Sequence, residues 1–97
     1  MNLDHCRRSI DDIDVQLLAL LNRRADLSKQ IGRLKLDLGL PIVDLDREDQ
    51  IISAVRRDNP GDISDEAAVR IFRSILNESR LLQLTEVGDT NVTEVLL

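Results

Sequence analysis

One stripe of the chain is apolar enough that a cation within it demands a reason. Leu3, Cys6, Ile10, Ile13, Leu17, Leu20, Leu27, Ile31, Leu34 and Leu38 recur on alternating spacings of three and four, as in a helix that buries a single seam. The position missing from the series is occupied by Arg24. A guanidinium on a buried seam costs several kcal/mol unless an anion meets it. Lys35 lies about three turns further along and only about 20° round the helix, so both cations share a face walled by Leu27 and Ile31. With backbones about 16 Å apart and long converging side chains, the pair suits a small dianion held between them. The competing structural readings are a register-setting or internally ion-paired Arg24, and a Lys35 that reaches solvent.

Further polar residues stand in places that invite chemistry. Arg7 precedes Arg24 by about 25 Å of helix and lies about 100° off its face, so it cannot serve the same pocket within one helix. In an antiparallel pair of chains, Arg7 of one copy would reach the Arg24–Lys35 stretch of the other. The run Asp44-Leu45-Asp46-Arg47-Glu48 opens a second helix, where capping and the helix dipole already account for acids. Asp44 and Glu48 are nonetheless like charges one turn apart, a mildly unfavourable pair that a hydroxyl, a cation or Arg47 would relieve. Ser79 and Gln83, also one turn apart, interrupt a third apolar stripe and need hydrogen-bond partners when buried.

The elements that position these residues follow from the punctuation. Glycine and proline cluster at Gly39–Pro41 and Pro60–Gly61, apart from Gly32 and Gly88, and cut the chain into three helical segments. No alternating strand pattern lies between them, so the expected fold is all-α. The first helix spans about residues 4–37, and Gly32 costs it about 1 kcal/mol of propensity, too little to break it. At about 50 Å it outruns a compact chain of this length, whose radius of gyration is about 13 Å. A second copy covering the surplus seam is the natural remedy, which predicts a two-fold homodimer. Asp44 or Asp46 caps the second helix, whose short apolar face is Ile51, Ile52 and Val55; Ser64 caps the third, which carries Val69, Phe72, Ile75, Leu76 and Leu82. From Thr85 the sequence turns polar and aperiodic, so residues 1–84 read as the domain and 85–97 as a tail or linker.

Composition removes several classes of function. The 97 residues carry a formal charge of −5 and a single aromatic, Phe72, a poor match for a phosphate backbone or stacked bases, so no nucleic-acid partner is expected. One Cys and one His exclude an intrachain disulfide, a Cys-rich zinc site and a His-pair metal site. No apolar run is long enough for a membrane span, and the charged amino-terminal stretch carries no secretory pattern; a cytoplasmic protein is expected, with Cys6 a small buried hydrophobe.

Taken together, Arg7, then Arg24 and Lys35 on one long helix, then Asp44-x-x-Arg47-Glu48, then Ser79-x-x-x-Gln83 resemble the all-helical, AroQ-type chorismate mutase family over about residues 3–84. The run Ile13-Asp14-x-x-Leu17-Leu18-x-Leu20-Leu21-x-x-Arg24 with Gly32-x-x-Lys35 is especially similar. The resemblance implies a three-helix subunit in an intertwined homodimer. It also implies an isomerase that converts chorismate to prephenate in the route to phenylalanine and tyrosine, with no cofactor and no metal. Such a rearrangement needs a compact conformer held in place and donors aimed at the breaking ether oxygen.

By position, the resemblance implies that Arg24 grips one substrate carboxylate and Arg7 of the other subunit the second. Lys35 and Gln83 would donate to the ether oxygen, and Glu48 with the backbone near Asp44 would hold the ring hydroxyl. Ser79 would assist at a carboxylate and Arg47 would support the site. Ile31, Leu76 and the partner's Ile10 would form apolar walls. A neutral Gln83 implies activity over a broad pH range, since a glutamate there would have to be protonated to donate. Arg80 departs from the small apolar residue usual in the family, and would turn either to solvent or into the pocket.

Three alternatives stand beside this reading. An isochorismate pyruvate-lyase shares the fold but generally lacks Asp-x-x-Arg-Glu. A mutase for the amino analogue of chorismate is disfavoured only weakly by Glu48. A non-catalytic helical dimerisation module would pair Arg24 and Lys35 with its own acids.

Overall fold

Three helices account for nearly all of the described chain, residues 1–88 of a computed structural model. Helix α1 runs over Leu3–Leu38, α2 over Leu45–Asp58 and α3 over Asp65–Glu86. Each begins at a side-chain cap: Asn2 Oδ1 accepts from the His5 N–H at 2.8 Å, Asp44 Oδ1 from Arg47 at 3.1 Å, and Ser64 Oγ from Ala67 at 3.1 Å. These bonds satisfy N–H groups that the first turn of a helix leaves open. Helix α1 stops at Gly39, whose φ of 67° only glycine adopts without strain. The Gly39 and Leu40 N–H groups then donate back to the Leu36 and Lys35 carbonyls.

Packing is uneven. Helix α3 is the centre of the fold and touches both others, whereas α1 and α2 do not pack on one another. The core is small: Ile52, Val69 and Leu76 are buried, with Ile51, Val55 and Phe72 against them. Helix α1 buries only Ser28 and Gly32, and its seam residues Ile10, Ile13, Leu17, Leu20 and Leu34 remain more than half exposed. The subunit measures 53 × 26 × 25 Å with a radius of gyration of 16.5 Å, well above the roughly 13 Å of a compact chain of this size. No helix among the described residues is long and apolar enough to cross a membrane.

Two expectations from the sequence need correction. Cys6 is exposed in the subunit, because the amino-terminal half of α1 projects beyond the other helices. Helix α3 also continues through Thr85 and Glu86, past the point where the sequence turns polar. Thr85 Oγ1 donates to the Leu81 carbonyl at 2.9 Å, and Arg33 Nε on α1 donates to Glu86 Oε1 at 2.7 Å. Polar residues therefore bind this last turn to α1 instead of fraying it. The rest of the expected tail, residues 89–97, lies outside the described residues.

Candidate active site

The stripe Arg24–Ser28–Ile31–Lys35 on α1 faces Leu76, Ser79, Arg80 and Gln83 on α3, and the start of α2 closes the third side with Asp44, Arg47, Glu48 and Ile51. They enclose a cleft of about 410 Å³, within the range of small-molecule sites. Spacings of four, three and four along α1 keep its stripe on one face. The same rule sets Leu76, Ser79, Arg80 and Gln83 in register on α3.

Gly32 brings these two stripes within reach. A Cβ built at Gly32 would lie 2.9 Å from the Gln83 Cα and 3.1 Å from its carbonyl oxygen, so only a glycine permits so close a crossing. Gly32→Ala is therefore expected to destabilise the fold by about 1–3 kcal/mol, although alanine is intrinsically the better helix former by about 1 kcal/mol. Because the displaced backbone is that of Gln83, turnover should fall as well. Thermal melts and steady-state kinetics check both, and a stabler protein with unchanged turnover would contradict this account of the crossing.

Arg24 and Lys35 are met by neutral oxygens. Arg24 Nη1 donates to Ser79 Oγ, and the serine itself is only 9% exposed. Lys35 Nζ donates to the Ile42 carbonyl at 2.7 Å and to Gln83 Oε1 at 2.8 Å. Neither cation has a carboxylate partner among the described residues. The ammonium has a third donor, and Arg24 has further N–H groups, so both retain capacity for an anion. An ammonium only donates, so Lys35 fixes the Gln83 amide with its oxygen toward Nζ and leaves both amide N–H groups for another acceptor.

Acids in the cleft are already engaged. Asp44 Oδ1 caps α2, and Glu48 Oε1 accepts from Arg80 Nη2 at 2.9 Å. Arg47 does not bridge Asp44 and Glu48: its backbone N–H meets Asp44, and its Nη1 reaches Gln50 Oε1 at 3.5 Å. Four cationic side chains, Arg24, Lys35, Arg47 and Arg80, face two carboxylates, a formal excess of two positive charges. Such a cleft in a chain of net charge −5 concentrates field on a dianion.

Of the residues singled out from the sequence, Arg24, Ile31, Lys35, Asp44, Arg47, Glu48, Leu76, Ser79 and Gln83 line this one cleft. Arg7 and Ile10 do not; both are exposed on the projecting part of α1, as their offset along the helix requires. Sequence reasoning missed Ser28, buried at 4% exposure, although its place one turn after Arg24 puts it on the same stripe. It also missed the Ile42 carbonyl, a backbone group for which no side chain gives a signal. Arg80, left open between solvent and pocket, turns inward.

Comparisons with known proteins agree with this geometry. Residues 6–84 match the family described as chorismate mutase type II. The chain is 29% identical over 89 residues to a chorismate mutase of Methanocaldococcus jannaschii, covering 91% of this chain and 90% of that one. It is 40% identical over 79 residues to a bifunctional chorismate mutase/prephenate dehydratase of Aquifex aeolicus, covering 77% of this chain but only 22% of that longer protein. Among solved structures, a chorismate mutase (form II) from Thermus thermophilus superposes with a TM-score of 0.82 at 33% identity, over 84% of this chain and 92% of that one. Sequence pattern, helical architecture and these matches converge on one conclusion: the chain belongs to the chorismate mutase type II family.

Proposed function

We propose that this protein is a chorismate mutase, an isomerase that rearranges chorismate to prephenate in the synthesis of phenylalanine and tyrosine. The observation that carries the reading is the centre of the cleft, where Lys35 and Gln83 are hydrogen-bonded to each other and Arg24 stands nearby with no acid partner among the described residues. In the reaction a carbon–oxygen bond breaks and a carbon–carbon bond forms within one molecule, so no nucleophile, metal or cofactor is required. The protein's task is to hold the compact conformer and to stabilise charge that grows on the ether oxygen.

In this reading Arg24 grips one carboxylate through its planar fork, with Ser79 beside it. The remaining Lys35 proton and a Gln83 amide N–H donate to the ether oxygen. Glu48 and the backbone at Asp44 hold the ring hydroxyl, Arg47 supports that side, and Ile31 and Leu76 are the apolar walls. The catalytic unit is residues 1–84 with the last turn of α3, the remainder is a tail or linker, and the protein works in the cytoplasm.

A second copy completes the site. Exposed seam residues on α1 and an apolar groove lined by Leu17, Ile51, Val55, Ile63, Ile71 and Phe72 give a surface that another α1 would cover. Each side chain so buried contributes about 1.5–3 kcal/mol. In an antiparallel arrangement Arg7 and Ile10 of one copy reach the cleft of the other, Arg7 taking the second carboxylate and Ile10 adding a wall. Arg24 and Lys35 have no acid partner among the described residues, which disfavours the non-catalytic module. The Asp44–Glu48 segment in the cleft disfavours the pyruvate-lyase.

Incubation of the protein with chorismate, with the product identified by nuclear magnetic resonance, tests the activity. Prephenate is expected. A parallel incubation with isochorismate completes the test: pyruvate released from it without prephenate from chorismate, or no consumption of either compound, would overturn the assignment.

A further inference from the structure

Arg80 is a cleft residue for which the proposed reaction has no role. It sits on α3 between Ser79 and Gln83, and its Nη2 donates to Glu48 Oε1 at 2.9 Å across the gap between α3 and α2. The two side chains are 35% and 21% exposed, so water screens the pair only in part. Its Nε is buried without a hydrogen-bond partner among the described residues, a cost that an arginine facing solvent would avoid. Glu48 keeps its second oxygen, Oε2, without a protein donor among the described residues.

A lone carboxylate at that corner accepts from a hydroxyl, but it attracts an ammonium more strongly because charge adds to the hydrogen bond. A carboxylate already paired with a guanidinium still offers Oε2 as an acceptor. Its net charge, however, is cancelled, and Arg24, Lys35 and Arg47 around it outweigh the one remaining carboxylate, Asp44, and repel a cation.

We propose that Arg80 is a specificity-determining positioning residue. By neutralising and orienting Glu48, it makes the cleft accept a substrate with a ring hydroxyl and reject the analogue with a protonated amine on the same carbon. This inference rests on the mutase reading, because it takes Glu48 as the partner of the ring hydroxyl.

The test compares kcat/KM for chorismate and for its 4-amino analogue, at a pH where the amine is protonated, in the unaltered protein, Arg80→Met and Arg80→Lys. The unaltered protein should favour the hydroxyl compound. Arg80→Met, of similar length but uncharged, should move the ratio of the two kcat/KM values at least about tenfold toward the amine. Arg80→Lys, which keeps the charge, should leave the ratio within about threefold. Should Arg80→Met fail to fold by circular dichroism, Arg80→Gln serves as the uncharged variant. An unchanged ratio, or equal losses on both substrates, overturns the inference and leaves Arg80 a structural tie. Failure of the mutase reading is distinguishable, since the unaltered protein would then turn over neither compound.

Discussion

Arg24→Leu is expected to give a folded protein of nearly unaltered stability whose kcat/KM for chorismate has fallen by roughly 30- to 5,000-fold. The first half of this expectation follows from the seam. Leucine restores the apolar residue that the three-and-four spacing calls for at position 24, and exchanging a poorly compensated cation for hydrocarbon is often neutral or favourable. Against this stands Ser79, only 9% exposed, whose hydroxyl loses the Arg24 donor at a cost of about 1 kcal/mol or more. These two effects oppose each other, so the melting temperature should move little.

The loss of activity has no such offset. Removing one partner of a buried, hydrogen-bonded charge pair costs about 2–5 kcal/mol, and here the deserted partner would be a substrate carboxylate. Denaturation curves and steady-state kinetics separate the two effects. Activity retained at the original level would end the assignment of Arg24 to the substrate.

Lys35→Ala should act differently, chiefly on turnover. The ammonium is held by the Ile42 carbonyl and Gln83 Oε1, which aims its remaining donor before substrate arrives. A donor positioned where transition-state charge develops is worth about 2.7–4 kcal/mol, or about 10²- to 10³-fold in kcat. Two further consequences follow from the same contacts. The Gln83 amide loses the group that fixes its orientation, and the Gly39–Asp44 connection loses its tie to α1 at Ile42. Both add to the fall in kcat without requiring a change of fold. A variant with altered KM and unchanged kcat would show that Lys35 binds substrate and transition state alike, which is incompatible with the place proposed for it at the ether oxygen.

The parts of this arrangement that could be read in advance were those governed by periodicity and local chemistry. Helix periodicity places Arg24, Ile31 and Lys35 on one face, and cap chemistry marks Ser64 as a helix start and Asp44 or Asp46 as another, of which the structure uses Asp44. Gly39 ended α1 because the chain there needs a left-handed residue. What could not be read depends on groups brought together by the fold. Nothing in the sequence pairs Arg80 with Glu48 in preference to bridging by Arg47, since that choice depends on how α3 lies against the start of α2. The Ile42 carbonyl is invisible for the same reason. By sequence alone Gly32 is a tolerated flaw in a long helix; the close approach of the Gln83 backbone that requires it exists only in the fold. Cys6 belongs to the apolar seam, which predicts burial; among the described residues nothing covers that seam over the amino-terminal half of α1.

Arg7 has the proposed role that reaches furthest, because it would serve the cleft of a second copy. Arg7→Ala and Arg24→Ala should each be nearly inactive alone. When they are mixed in equal amounts under conditions that let subunits exchange, about half of the two-fold dimers are mixed, and each of these holds one site with both arginines intact. Chorismate turnover per subunit in the mixture should therefore recover to about a quarter of the unaltered protein's value. Recovery to that level would establish that two copies build each cleft; a mixture no more active than the average of its two components, with subunit exchange verified, would contradict it.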